Sequence, residues 1–160
     1  MIKFLWTTLW GQILLTLLVS MVPVIELRGA IPLATQHGLD WRIAIPVAII
    51  GNLLPVPFII VFVRKVFAWI RKHLPKLDGF ITKLENRAKS KTDTVLKYAF
   101  WGLFFFVAIP LPGTGAWTGA LIAAMLDMRL KKAFPSIVLG VVTAGIVVAI
   151  VSYGALAIFS

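Results

Sequence analysis

Two charged residues stand in a stretch otherwise suited to a membrane interior: Glu26 and Arg28, within Val22-Pro23-Val24-Ile25-Glu26-Leu27-Arg28-Gly29-Ala30-Ile31-Pro32. A carboxylate can exchange a proton, and a guanidinium presents planar donors that suit phosphate oxygens. A charge at the bilayer centre costs about 3 kcal/mol on insertion scales, so such a residue faces a cavity or a partner. Two readings stand. In one, Arg28 anchors an anion or phosphate and Glu26 is a protonatable coupling group. In the other, the pair neutralise each other and pin the chain. Residues two apart do not face each other on a helix, whereas on a non-helical tip they can. The other acids, Asp40, Asp78, Glu85, Asp93 and Asp127, fall in turns or in a basic connector.

A second stretch, Ile109-Pro110-Leu111-Pro112-Gly113-Thr114-Gly115-Ala116-Trp117-Thr118-Gly119, carries no charge. Gly113, Thr114 and Gly115 can offer backbone amides and a hydroxyl to an anion at the start of a half-helix. A simple tight turn fits them equally. Trp117 and Thr118 either line a cavity or pack. Gln36 and His37 belong to the outer end of the first return arm. Asn52, Thr143 and Tyr153 are polar positions in long apolar helices, available for hydrogen bonds between helices. There is no cysteine and there are only two histidines. No serine-histidine-acid order, phosphate loop or metal-ligand spacing appears. Catalysis, a resident metal and a cofactor are therefore not expected.

The elements that position these residues follow from composition. Of 160 residues, 60% are hydrophobic and 14% charged, with net charge +10 and mean hydropathy +0.97. Soluble domains run about 45–50% apolar and about 25% charged, so an all-α integral membrane protein is expected. The basic residues then signal topology, not nucleic acid. A span needs about 20 helical residues. Ile43–Val63 and Phe134–Phe159 meet that length, whereas Ala30–Leu39 and Ala116–Leu126 reach about half way. Each short arm follows a proline- and glycine-rich break expected to be non-helical, so two re-entrant hairpins are predicted. The apolar N-terminal run lacks a small-x-small cleavage site before Pro23 and is read as an uncleaved first arm.

A repeat is visible. Leu39-Asp40-Trp41-Arg42 recurs as Leu126-Asp127-Met128-Arg129, Pro46 and Gly51 as Pro135 and Gly140, and Pro23 and Gly29-Ala30 as Pro110 and Gly115-Ala116 with small gaps. One membrane domain, 1–160, divides into repeat one (1–63), connector (64–97) and repeat two (98–160). A re-entrant hairpin returns to its own side and one helix crosses, so successive units are inverted. All sixteen basic residues except Lys3, Arg28 and Arg42 then fall on one side. By the positive-inside rule the connector is cytoplasmic and both termini are outside. Phe67, Ile70, Leu74, Leu77, Phe80, Ile81 and Leu84 make the connector amphipathic, suited to a lipid interface, with breaks expected at Pro75 and Gly79.

At Glu26–Pro32 and Pro110–Gly119 the sequence resembles the putative small multidrug export protein family, over nearly the whole chain. That family is similar to the DedA (VTT-domain) membrane proteins, with two opposed re-entrant hairpins. The resemblance implies a prokaryotic inner-membrane protein that moves lipids, polyprenyl-phosphate carriers among them. It makes Glu26 the acidic position, Arg28 the basic one and Pro112-Gly113 the hairpin Pro-Gly. Unlike the DedA pattern, the second hairpin has no arginine. The reading is a transporter or lipid translocase, proton-coupled through Glu26. Arg28, Gly113, Thr114, Gly115 and Trp117 form its substrate site, for an anionic, phosphate-bearing lipid. A drug exporter and a non-transporting scaffold are the alternatives. Membrane lipids are the expected partners, and a homodimer is expected because half-membrane hairpins need burial.

Overall fold

The computed structural model describes residues 6–73, 79, 92–111 and 113–159. The described residues form seven main helices: α1 Leu9–Met21, α2 Glu26–Gln36, α3 Trp41–Leu53, α4 Val56–His73, α5 Thr92–Ala108, α6 Ala116–Met125 and α7 Leu130–Phe159. Two stretches, Trp41–Val66 and Leu130–Ala155, are long and apolar enough to cross a membrane. The first is α3 continued into α4, interrupted at Leu54-Pro55, where the Pro55/Pro57 pair predicts a kink. Helix α4 carries the chain into the connector as far as His73, and α5 begins within it at Thr92. The break expected at Pro75 lies outside the described residues.

The helices are built inside out. On α1 the buried positions are Gly11, Thr16 and Ser20, while Trp10, Leu14 and Leu18 are exposed. On α7 Ala133, Ser136, Gly140 and Ala144 are buried, while Leu139, Ile146 and Ile150 are exposed. Lipid solvates leucine as well as a core does, so close approach of small residues holds such helices together. Gly51 of α3 lies against Leu17 and Ser20 of α1, where a Cβ would be 2.5 Å from the Leu17 carbonyl. Gly140 of α7 lies likewise against Phe104 and Val107 of α5, with 3.0 Å to the Phe104 carbonyl.

The first break is shorter than the sequence suggests. Expected to be irregular through Pro32, the chain is helical from Glu26, with Pro32 inside α2. Leu27, Ala30, Ile31 and Ala34 are buried along one face, and that packing outweighs the single hydrogen bond lost at Pro32. The second break, expected over Ile109–Gly119, is also shorter: α6 starts at Ala116, where the short arm is expected to begin.

Helices α2 and α6 end alike. Gly38 N–H donates to Thr35 and Leu39 N–H to Ala34; Asp127 N–H donates to Ala124 and Met128 N–H to Ala123. Gly38 and Asp127 both have positive φ, 77° and 50°. These are two Schellman motifs, each followed by a buried apolar residue, Leu39 or Met128. These ends match 38 to 127 and 39 to 128, the shift that also relates Pro46 to Pro135 and Gly51 to Gly140. The match of Leu39-Asp40 to Leu126-Asp127 is two residues out of step, because the second break is the longer one. Helix α1 packs on α2 and α3, and α5 on α6 and α7. Between halves, α2 packs on α7, α6 on α4, and α3 on α7.

Candidate functional site

The two breaks meet, and each supplies what the other's helix ends lack. Helix α5 ends at Ala108, leaving carbonyls without partners at the negative end of its dipole. Arg28, two residues into α2, fills that end. Its Nη2 donates to the carbonyls of Thr114 (2.8 Å), Ile109 (3.1 Å) and Val107 (3.4 Å) and to Thr114 Oγ1 (3.2 Å). Its Nη1 donates to the Leu111 carbonyl. Only Nε is buried without a partner.

Helix α6 begins after Gly115, an N-cap with no side chain to offer. The free amide of Trp117 instead donates to Glu26 Oε1 at 3.1 Å, so a carboxylate from the other half caps α6 at its positive end. Gly115 permits this approach, since a Cβ there would overlap the Glu26 carboxylate. The Trp117 indole Nε1 donates to the carbonyl of Met21, the last residue of α1, at 3.0 Å. Glu26 is 3% exposed, yet it is not ion-paired with Arg28; among the described residues the ion pair is Arg64–Asp127 at 3.4 Å. The adjoining backbone is strained: Val24 and Glu26 have φ of 76° and 51°, and a β-branched residue there is a genuine outlier.

A narrow crevice with no room for a water molecule lies at this junction, lined by Glu26, Arg28, Asn52, Gly115, Val141 and Ala144 among others, so the site is closed in this conformation. Asn52 is 1% exposed and its Oδ1 has no partner. Asn52 and Val141 stand near the middles of the two candidate spans, which puts the junction half way along both.

Of the residues singled out by sequence, Glu26, Arg28, Thr114, Gly115 and Trp117 converge. Gly113 sits on the exposed turn with φ 84°, and Pro112 lies outside the described residues. His37 is away from the junction, stacked on Trp6 with ring centroids 4.0 Å apart. Thr143 bonds its own helix at Leu139 (2.8 Å), so of the two α7 positions Tyr153 is the one that reaches another element, the Leu39 carbonyl (2.8 Å). Sequence reasoning passed over Asn52 as a site residue, although an amide in mid-span beside Gly51 is its signal. It also missed the carbonyls of Met21, Val107, Ile109 and Leu111, which no side-chain pattern marks.

No curated protein and no solved structure matches the chain. A family model described as "Putative small multi-drug export protein" matches residues 26–147, a stretch that opens on the Glu26 cap and takes in both α2 and α6. This is a membrane protein, and it belongs to the putative small multi-drug export protein family.

Proposed function

We propose that the protein is a transporter, not an enzyme, that exports an amphiphilic substrate in exchange for protons, with Glu26 binding the proton and the crossed breaks as the moving parts. The observation that carries this reading is the buried Glu26 carboxylate capping α6 from the other half of the molecule. While ionised, it holds the breaks together by a charge-assisted hydrogen bond and by attraction to the helix dipole. Protonation leaves a neutral hydrogen bond but removes its charge assistance and the attraction to the dipole, and so favours separation. Separation also frees Arg28 from its carbonyls, so an anionic substrate group gains a guanidinium partner only in the opened state. A ligand shifts such an equilibrium only through this kind of differential affinity.

A phosphate-bearing lipid, polyprenyl-phosphate included, is the second reading. Its support is the apolar fringe of the breaks, where Val24, Ile109 and Leu111 are exposed and would face acyl chains. The inverted arrangement of two re-entrant hairpins is supported by the matched Schellman ends, the matched glycine contacts and the one-sided basic residues. With it go a prokaryotic inner-membrane location, a cytoplasmic connector and both termini outside. A homodimer would cover the exposed fringe.

The test is flux into liposomes holding the purified protein, with a pH gradient on or off. One arm uses a fluorescent amphiphilic dye and the other labelled polyprenyl-phosphate. Wild type should move at least one probe in a gradient-dependent way, and Glu26→Gln should bind it without gradient-driven flux. Gradient-driven flux in Glu26→Gln would remove Glu26 from the coupling role. Flux of neither probe by wild type would favour a scaffold.

A further inference from the structure

We infer that Arg64 and Tyr153 are a matched pair of gates, one on each side of the Glu26–Arg28 junction. The shift that carries Gly38 to Asp127 and Leu39 to Met128 also carries position 64 to position 153. Arg64, on α4 of the first half, donates through Nη2 to the carbonyl of Met128. Tyr153, on α7 of the second half, donates through its hydroxyl to the carbonyl of Leu39 at 2.8 Å. Both acceptors occupy the same place, the residue just past the left-handed turn that ends a return arm. Both donors stand near the C-terminal end of a candidate span from the opposite half, Trp41–Val66 for Arg64 and Leu130–Ala155 for Tyr153. Two unrelated residue types thus make equivalent ties, each joining the end of a return arm to the other half's crossing helix.

The two ties lie at opposite ends of the molecule. The residue 38–40 turn follows α2, the 127–129 turn follows α6, and the two arms start from the shared junction between them. Releasing one tie would let one return arm swing and open the junction toward that end, while the other tie keeps the far end shut. This inference rests on the transporter reading with inverted halves and supplies its two gates.

The gates differ in strength. Tyr153 makes neutral bonds only, to the Leu39 carbonyl and with the Thr35 side chain. Arg64 adds an ion pair to Asp127 at 3.4 Å, but its buried Nε has no partner, so that gate is charged and incompletely satisfied. A neutral hydrogen bond is worth about 1 kcal/mol net, which is about fivefold in an equilibrium, and one to a charged group more.

The cysteine-free chain allows a direct test. Ala144→Cys places one reporter thiol in the junction wall, read by the rate of labelling with a membrane-impermeant maleimide in right-side-out and inside-out vesicles. Adding Tyr153→Phe should raise that rate about fivefold from the face bearing the 38–40 turn, and from that face alone. Adding Arg64→Gln should raise it tenfold or more from the opposite face alone; Asp127→Asn serves if Arg64→Gln does not fold. Increases from both faces or from the same face would overturn the gates. So would lowered thermal stability with unchanged labelling, the result expected of permanent staples. Trp41→Cys and Lys131→Cys, made separately, should label from opposite faces. If they share a face, the inverted reading falls and the gates with it; if they do not, a failure belongs to the gates alone.

Discussion

At Glu26 a substitution can separate charge from shape. Glu26→Gln still offers an oxygen to the Trp117 amide, but it loses the interaction with the α6 dipole and the capacity to ionise. We expect about 1 kcal/mol lower stability, measured by thermal unfolding in detergent, together with loss of pH-driven flux. Arg28 is more demanding, because its acceptors are spread over Val107, Ile109, Leu111 and Thr114. A lysine ammonium is compact and cannot reach them all, so Arg28→Lys should fold with reduced stability and clearly impaired transport. Arg28→Ala leaves several carbonyls without a donor in an apolar setting and should cost about 3 kcal/mol or more, read as loss of folded protein on size-exclusion chromatography. Gly115→Ala tests the same junction from the other side. Its methyl would occupy the place of the carboxylate, so it should resemble Glu26→Gln in flux and exceed it in destabilisation.

Among the helices, α1 approaches α3 closely at Gly51 and α5 approaches α7 closely at Gly140. An added methyl meets a side chain first, Ser20 at Gly51 and Val107 at Gly140, and then a backbone carbonyl, so rotating the side chain does not by itself make room. Gly51→Ala and Gly140→Ala should each cost about 1–3 kcal/mol, with Gly51→Ala the worse because its carbonyl neighbour is nearer, as a pair of unfolding curves would show. The order of these helices was legible in the sequence: two spans, two half-length arms and two breaks can be counted from hydropathy, proline and glycine. Their register was not. Gly38 and Asp127 share a left-handed backbone although they share no side-chain chemistry, so the Leu-Asp identity drew the match two residues astray. The start of α2 was hidden for a related reason. Gly29 and Pro32 argue against helix locally, while the burial of Leu27, Ala30 and Ile31 is a tertiary fact.

For the molecule as a whole, the outcome most open to test is orientation. Single cysteines at Lys83 and Lys131 should label only from the cytoplasm and one at Trp41 only from outside, in intact cells against disrupted ones. The expectation comes from the sequence, because charge asymmetry is a property of composition along the chain. The candidate site is legible only in part. Glu26 and Arg28 announce themselves as charges in an apolar stretch, and Trp117 and Thr114 by their place in a break. What those residues touch is mostly main chain from the other half, and main chain has no signature in a sequence. The correspondence of Arg64 with Tyr153 is equally invisible until the halves are docked, whereas Asn52 shows in the sequence as an amide in mid-span.

The double engagement of Trp117 also makes the junction visible to spectroscopy. Its indole N–H is held by the Met21 carbonyl while its backbone N–H is held by Glu26, so parting of the breaks must change the surroundings of the ring. With the other five tryptophans replaced by phenylalanine, the emission of Trp117 becomes an intrinsic optical probe. A rapid drop in pH should then shift its emission with a single relaxation time, and that time would measure how fast the breaks part before any substrate has moved.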